Sequence, residues 1–126
     1  MKIIALVQAR VGSTRLPGKV LKTVVGRHLI DLLLTRLSES KKIDQIVVAT
    51  SQNTQDDELK DVVESLGYEC FRGSEDDVLK RFYDAAKKYN ADIIVRITGD
   101  CPLVDANLVD TCINNFLSLQ VDYYSN

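Results

Sequence analysis

The sequence predicts an α/β domain built on a mostly parallel sheet with helices on both faces. Three observations carry this. Short apolar runs alternate four times with stretches of helical periodicity. The runs are continuous rather than polar-alternating, as expected of strands covered on both faces. The 126 residues are 45% hydrophobic and 27% charged, the balance of one soluble domain with one core, spanning residues 1–126.

In chain order, residues 2–8 (KIIALVQ) form the first strand. Residues 28–38 set Leu29, Leu33 and Leu37 four apart, with Ile30 and Leu34 beside them, which is the stripe of an amphipathic helix. Residues 44–50 (DQIVVAT) are a second buried strand. From Asn53 to Leu66, the positions Leu59, Val62, Val63 and Leu66 mark a helix that Gly67 ends. Residues 68–72 are a short strand, and residues 76–89 carry Val78, Phe82, Ala85 and Tyr89 on one helical face. Residues 92–97 (DIIVRI) are the fourth strand. Asp105 then caps a helix with Leu108, Val109, Cys112, Ile113 and Phe116 inward, and residues 121–124 start a fifth strand. There is no repeat, low-complexity segment or linker.

Several classes are disfavoured at once. No apolar run is long enough to cross a bilayer. The first such run, Ile3 to Val7, lacks the length and cleavage pattern of a signal peptide. Cys70, Cys101 and Cys112 have no metal-like spacing, and their odd number argues against a disulfide framework, so a reducing cytoplasm is the simplest setting. Charge is unevenly distributed. Residues 1–30 carry +6 with no acid before Asp31, whereas residues 31–126 carry −8. A basic patch on an otherwise acidic chain points to a specific anionic ligand and away from nucleic acid, whose binders are more often basic overall.

In parallel α/β sheets ligands sit beyond the carboxyl ends of the strands. The segments to inspect are therefore 9–19, 51–56, 72–77 and 98–105. The first lies in QARVGSTRLPGK, residues 8–19. Gly12 and Gly18 allow close backbone approach to an anion, Ser13 and Thr14 add hydroxyl donors, and Arg15 and Lys19 are spaced to grip a polyphosphate from two sides. A solvated surface loop would more usually mix charge signs. This is not a Walker A loop: five residues separate Gly12 from Gly18, and Val20 follows Lys19 where a hydroxyl is needed. The dinucleotide pattern Gly-x-Gly is also absent.

The segment Thr98-Gly99-Asp100-Cys101-Pro102-Leu103 reads in two ways. Asp100 at a strand end suits a magnesium ligand facing substrate phosphates, while Gly-Asp and Pro are also turn chemistry. Asp105 is better explained as a helix cap than as a ligand, and Cys101 has no evident base to make it a nucleophile. In Arg72-Gly73-Ser74-Glu75-Asp76-Asp77, Ser74 is expected to cap the next helix with Asp77 at its third position, and Arg72 to face the ligand. His28, the sole histidine, is given no catalytic role.

The stretches ARVGSTRLPGK, VVATS, FRGSEDDVLKRF and RITGDCPLVD occur in the order seen in sugar cytidylyltransferases. The chain resembles the spore-coat polysaccharide branch of that family and, more distantly, the enzymes that make CMP-ketodeoxyoctonate and CMP-sialic acid. The resemblance spans nearly the whole chain, and its first and fourth stretches are the specific ones. It implies a three-layer, glycosyltransferase-A-like nucleotidyltransferase fold with a mixed sheet, and attack of a sugar hydroxyl on the α-phosphate of CTP with loss of pyrophosphate. By position, Arg10, Gly12, Ser13, Arg15 and Lys19 hold the nucleotide, with Arg15 and Lys19 facing the departing pyrophosphate. Arg72 and Ser74 lie near the base or ribose, and Asp100 binds Mg2+. The chain departs from the ketodeoxyoctonate enzymes at Thr98, where they carry glutamine, and at Cys101, where they carry glutamate. Family members are about twice as long, which implies that sugar contacts, a second metal ligand and a dimer surface lie beyond Asn126. The chain is accordingly expected to be an N-terminal portion that binds CTP, turns sugar over slowly if at all, and can form a homodimer. Two other readings are a nucleotide-binding module without turnover and a glycosyltransferase using a nucleotide-sugar. The latter usually needs Asp-x-Asp, and Gly99-Asp100-Cys101 offers one aspartate.

Overall fold

A computed structural model describes residues 2–9, 23–24, 27–74, 76–98 and 105–119. The order is β1 (Ile3–Gln8), a two-stranded hairpin of β2 (Thr23–Val24) and β3 (Arg27–His28), α1 (Leu29–Leu37), β4 (Gln45–Ser51), a 3-10 turn (Thr54–Asp56), α2 (Asp57–Ser65), β5 (Glu69–Gly73), α3 (Val78–Lys88), β6 (Ile93–Thr98) and α4 (Ala106–Leu119). The four long strands form one sheet in the order β5-β4-β1-β6, and every pairing within it is parallel. The expected fifth strand at 121–124 lies outside the described residues.

The chain steps outward from β1 to β4 to β5, then returns across the sheet to β6. Parallel crossovers are right-handed, so reversing direction moves the connecting helix to the other face. The packing follows this rule. On one face α1, α2 and α4 bury Ile30, Leu33, Leu34, Leu37, Leu59, Val63, Val109 and Ile113 against Ile3, Ala5, Val7 and Val48. On the other, α3 alone among the described helices sets Phe82 and Ala85 against Ile4, Leu6, Val47 and Ala49. The sequence thus yields three layers with a thick and a thin side. Each fully buried leucine or isoleucine contributes about 1.5–3 kcal/mol through removal from water, so the thick side holds most of the folding energy.

Four expectations need correction. The uniform two-sided covering holds for β1 and β4, but β6 alternates. Ile93, Val95 and Ile97 are half-buried, whereas Ile94, Arg96 and Thr98 are exposed, because α3 packs over β1 and β4 and meets β6 only where the Phe82 ring lies against Arg96. The helix expected from Asn53 begins with a 3-10 turn that Asn53 caps by accepting from the Gln55 N–H, and α2 proper starts at Asp57. Asp77, not Ser74, caps α3: its carboxylate accepts from the Lys80 N–H at 2.9 Å, and the Ser74 hydroxyl accepts from the Asp77 N–H at 3.1 Å, one step earlier. In α4, Asp105 caps as expected, accepting from the Asn107 N–H at 2.9 Å, but Leu108 is exposed while Val109 and Ile113 are buried. Gly67 ends α2 with φ of 90°, a left-handed value that favours glycine.

Candidate active site

The four parallel strands end at Gln8, Ser51, Gly73 and Thr98, so the segments expected to bind ligand leave the same edge of the sheet. The pairing of β1 with β6 sets Gln8 directly across from Thr98. This is where the order of strands reverses, the crevice that open α/β sheets use for ligands. The basic, glycine-containing stretch follows Gln8 in the sequence and Gly99-Asp100 follows Thr98. Arg96 donates to the Gln8 side-chain oxygen at 3.2 Å, and its guanidinium lies 5.2 Å from the Phe82 ring centre. Leaving β1, the Ala9 N–H still donates to the Ala49 carbonyl at 3.2 Å, so the entry to the basic segment is tied to β4.

Arg10, Gly12, Ser13, Arg15, Lys19 and Asp100 lie outside the described residues. Arg72 and Ser74 lie within them. Three nitrogens of Arg72 donate to protein acceptors: Nε to the Ser51 carbonyl at 2.8 Å, Nη2 to the Asn53 carbonyl at 2.7 Å and Nη1 to Asp57 Oδ1 at 2.7 Å. Ser74 gives its carbonyl to Arg81 Nη1 at 3.0 Å.

Sequence reasoning missed two features here. One is Arg81, wholly buried beneath the end of β5. Gly73 makes room for it: a Cβ there would stand 3.0 Å from Arg81 Cγ and 3.0 Å from the Phe71 ring. The other is the closed network after β4, in which the buried Ser51 hydroxyl bonds to the buried Asp56 carboxylate. The signal for the second was present, since Asn53 and Asp56 are turn- and cap-forming residues directly after a strand. For the first, helical periodicity places Arg81 beside Phe82 and gives no hint that it points inward. Cys70 is not a candidate nucleophile, because burial pushes its thiol up to about 11. Among the described residues, no cluster of three or more metal-ligating side chains occurs, and no helix is long and apolar enough to cross a membrane.

A family model described as cytidylyltransferase matches residues 4–126. The chain belongs to the cytidylyltransferase family. It is 41% identical over 125 residues to the spore coat polysaccharide biosynthesis protein SpsF of Bacillus subtilis, covering 96% of this chain and 52% of that one. A solved cytidylyltransferase from Leptospira borgpetersenii superposes with a TM-score of 0.91 at 44% identity, over 95% of this chain and 50% of the other. CMP:2-keto-3-deoxy-manno-octonic acid synthetase, solved in complex with CTP, superposes with a TM-score of 0.84 at 27% identity, over 94% of this chain and 48% of the other. The chain spans about half the length of these relatives. The three-layer nucleotidyltransferase fold implied by the resemblance is therefore the fold of this chain. The described part of its main sheet is all parallel.

Proposed function

We propose that this chain supplies the nucleotide site of an enzyme that transfers cytidylyl from CTP to a sugar. The observation that carries the reading is the Gln8–Thr98 pairing of neighbouring parallel strands, from which the two family-specific segments depart. Arg10, Gly12, Ser13, Arg15 and Lys19 hold the nucleotide, and Asp100 is the residue that would hold Mg2+. Bound there, the ion supplies charge neutralisation at the phosphates. Nucleotidyl transfer needs positioning and charge balance more than covalent help from the protein. A sugar hydroxyl attacks the α-phosphorus, the bond to the bridging oxygen breaks, and pyrophosphate leaves with the charge that Arg15 and Lys19 offset. Arg10, Arg15 and Lys19 of the basic segment offset the charge of the triphosphate.

Calorimetric titration with CTP, UTP, ATP and GTP, each with and without magnesium, tests this. CTP is expected to bind tightest, with magnesium strengthening it, and Asp100→Asn is expected to remove the magnesium-dependent part while melting like the parent. Equal weak binding of all four nucleotides reduces the basic segment to a generic anion site.

A further inference from the structure

We propose that Arg72 is a positioning residue, which clamps the loop after β4 to β5 and so fixes the rim of the nucleotide site without itself reaching the nucleotide. The proposal rests on the nucleotide reading above. Arg72 pairs in register with Thr50, one residue before β4 ends. From there its fork spans the whole connection to α2, bonding to Ser51 at the strand end, Asn53 in the loop and Asp57 at the first residue of the helix. Those acceptors lie on one continuous segment and within the reach of a planar group with fixed donor directions. The segment is closed from inside as well. Asn53 Oδ1 accepts from the Gln55 N–H at 2.9 Å, and the Asn53 carbonyl accepts from both Arg72 and the Asp56 N–H, the latter at 2.9 Å. The Asp57 N–H donates to the Thr54 carbonyl. Ser51 and Asp56 bond beneath this layer, both buried.

The clamp matters to the site because β4 is the neighbour of β1. The Ala9 N–H bonds to the Ala49 carbonyl, two residues before Ser51. A loop that loosens at Ser51 loosens the support of the strand end from which the basic segment departs. An arginine used in this way is pre-organised by the protein, and three of its nitrogens already have acceptors before any ligand arrives.

Arg72→Met and Arg72→Lys separate the possibilities, read by amide hydrogen exchange without ligand and by CTP titration of the folded variants. With Arg72→Met, the amides of Gln55, Asp56 and Asp57 are expected to exchange about tenfold faster or more, the loss of bonds to a charged group. CTP affinity is expected to fall in the same order as loop protection, from parent to Arg72→Lys to Arg72→Met. Affinity lost with unchanged exchange makes Arg72 a direct nucleotide contact and overturns the proposal. Faster exchange with unchanged affinity makes the clamp structural only, which also overturns it. A parent that binds no CTP removes the nucleotide reading itself, and with it the positioning role, while the exchange data still decide whether the clamp exists.

Discussion

The two ends of the sheet use similar residues for opposite purposes. At the amino end, acids terminate the chain's irregular stretches. Asp92 accepts from the Lys2 N–H at 2.6 Å, Asp44 from the Ile3 N–H at 2.7 Å, and Asp110 from the N–H groups of Lys41 and Lys42 at 2.9 and 3.2 Å. The Ser40 hydroxyl joins the Asp110 cluster, tying α4 to the turn after α1. These carboxylates satisfy backbone donors that the strands leave unpaired. At the carboxyl end acids also brace and cap, at Asp56, Asp77 and Asp105, but the described residues there add two guanidinium groups, Arg72 and Arg81, whose acceptors are mainly carbonyls of loops. The amino end is closed by short turns, and the carboxyl end holds the loop after β4 and the turn before α3 in place. On the proposed function one end serves stability and the other serves the nucleotide site, so changes at the two ends should move different measurements.

The sharpest test of this division is at the basic segment. Arg15→Ala or Lys19→Ala is expected to weaken CTP binding by about 1.5–3 kcal/mol, the range for hydrogen bonds to charged groups. Unfolding free energy should shift by no more than about 0.5 kcal/mol, as for surface substitutions. Equal loss of cytidine and CTP affinity would assign these residues to folding and break the comparison. Gly73→Ala probes the exception, a packed spot at the ligand end. Its Cβ would crowd Arg81 Cγ and the Phe71 ring, and overpacking of this kind costs about 1–3 kcal/mol, measurable by urea denaturation. A neutral Gly73→Ala would mean that Arg81 moves aside freely and braces nothing.

At the amino end, Asp110→Asn is expected to be the mildest. Burial pushes the pKa of Asp110 up, but the hydrogen bonds from Ser40 and from the Lys41 and Lys42 amides outweigh this and hold its carboxyl below the ordinary 3.8. A depressed folded value means that the unfolded chain takes up the proton first. The contribution of Asp110 is therefore present above about pH 4 and is lost as the pH falls through the folded value. Thermal melts of the parent should show this acid-side loss, and Asp110→Asn should flatten it while leaving CTP affinity untouched. An unchanged acid limb in the variant would remove Asp110 from the amino-end set.

The fold class was legible because burial leaves a period in the sequence. The apolar runs of β1 and β4 and the stripe of Ile30, Leu33, Leu34 and Leu37 each report one local environment, so each element could be located from its own residues. The basic segment is assigned to the site on chemical grounds, since glycines, hydroxyls and cations without acids have few other uses at a strand end, and it lies outside the described residues. The small β2–β3 hairpin went unread, since two-residue strands carry no period. The open face of β6 was also illegible. Ile94 looks as apolar as Ile93, and only the position of α3 over β1 and β4 leaves it exposed.

What the sequence by itself determined is therefore local and chemical: which segments are strands and helices, where the charge lies, and which loops hold residue types suited to binding phosphate. Periodicity and residue type settle these without reference to distant parts of the chain. The tertiary structure decided the rest. It set the strand order that puts Gln8 beside Thr98, the unequal faces of the sheet, and the partners of Arg72 and Arg81. The physical reason is the same for all three. A guanidinium has no preferred partner until the fold brings an acceptor within reach. Likewise, a strand has no neighbour until the crossovers choose one, and the residues that make those choices lie tens of positions away.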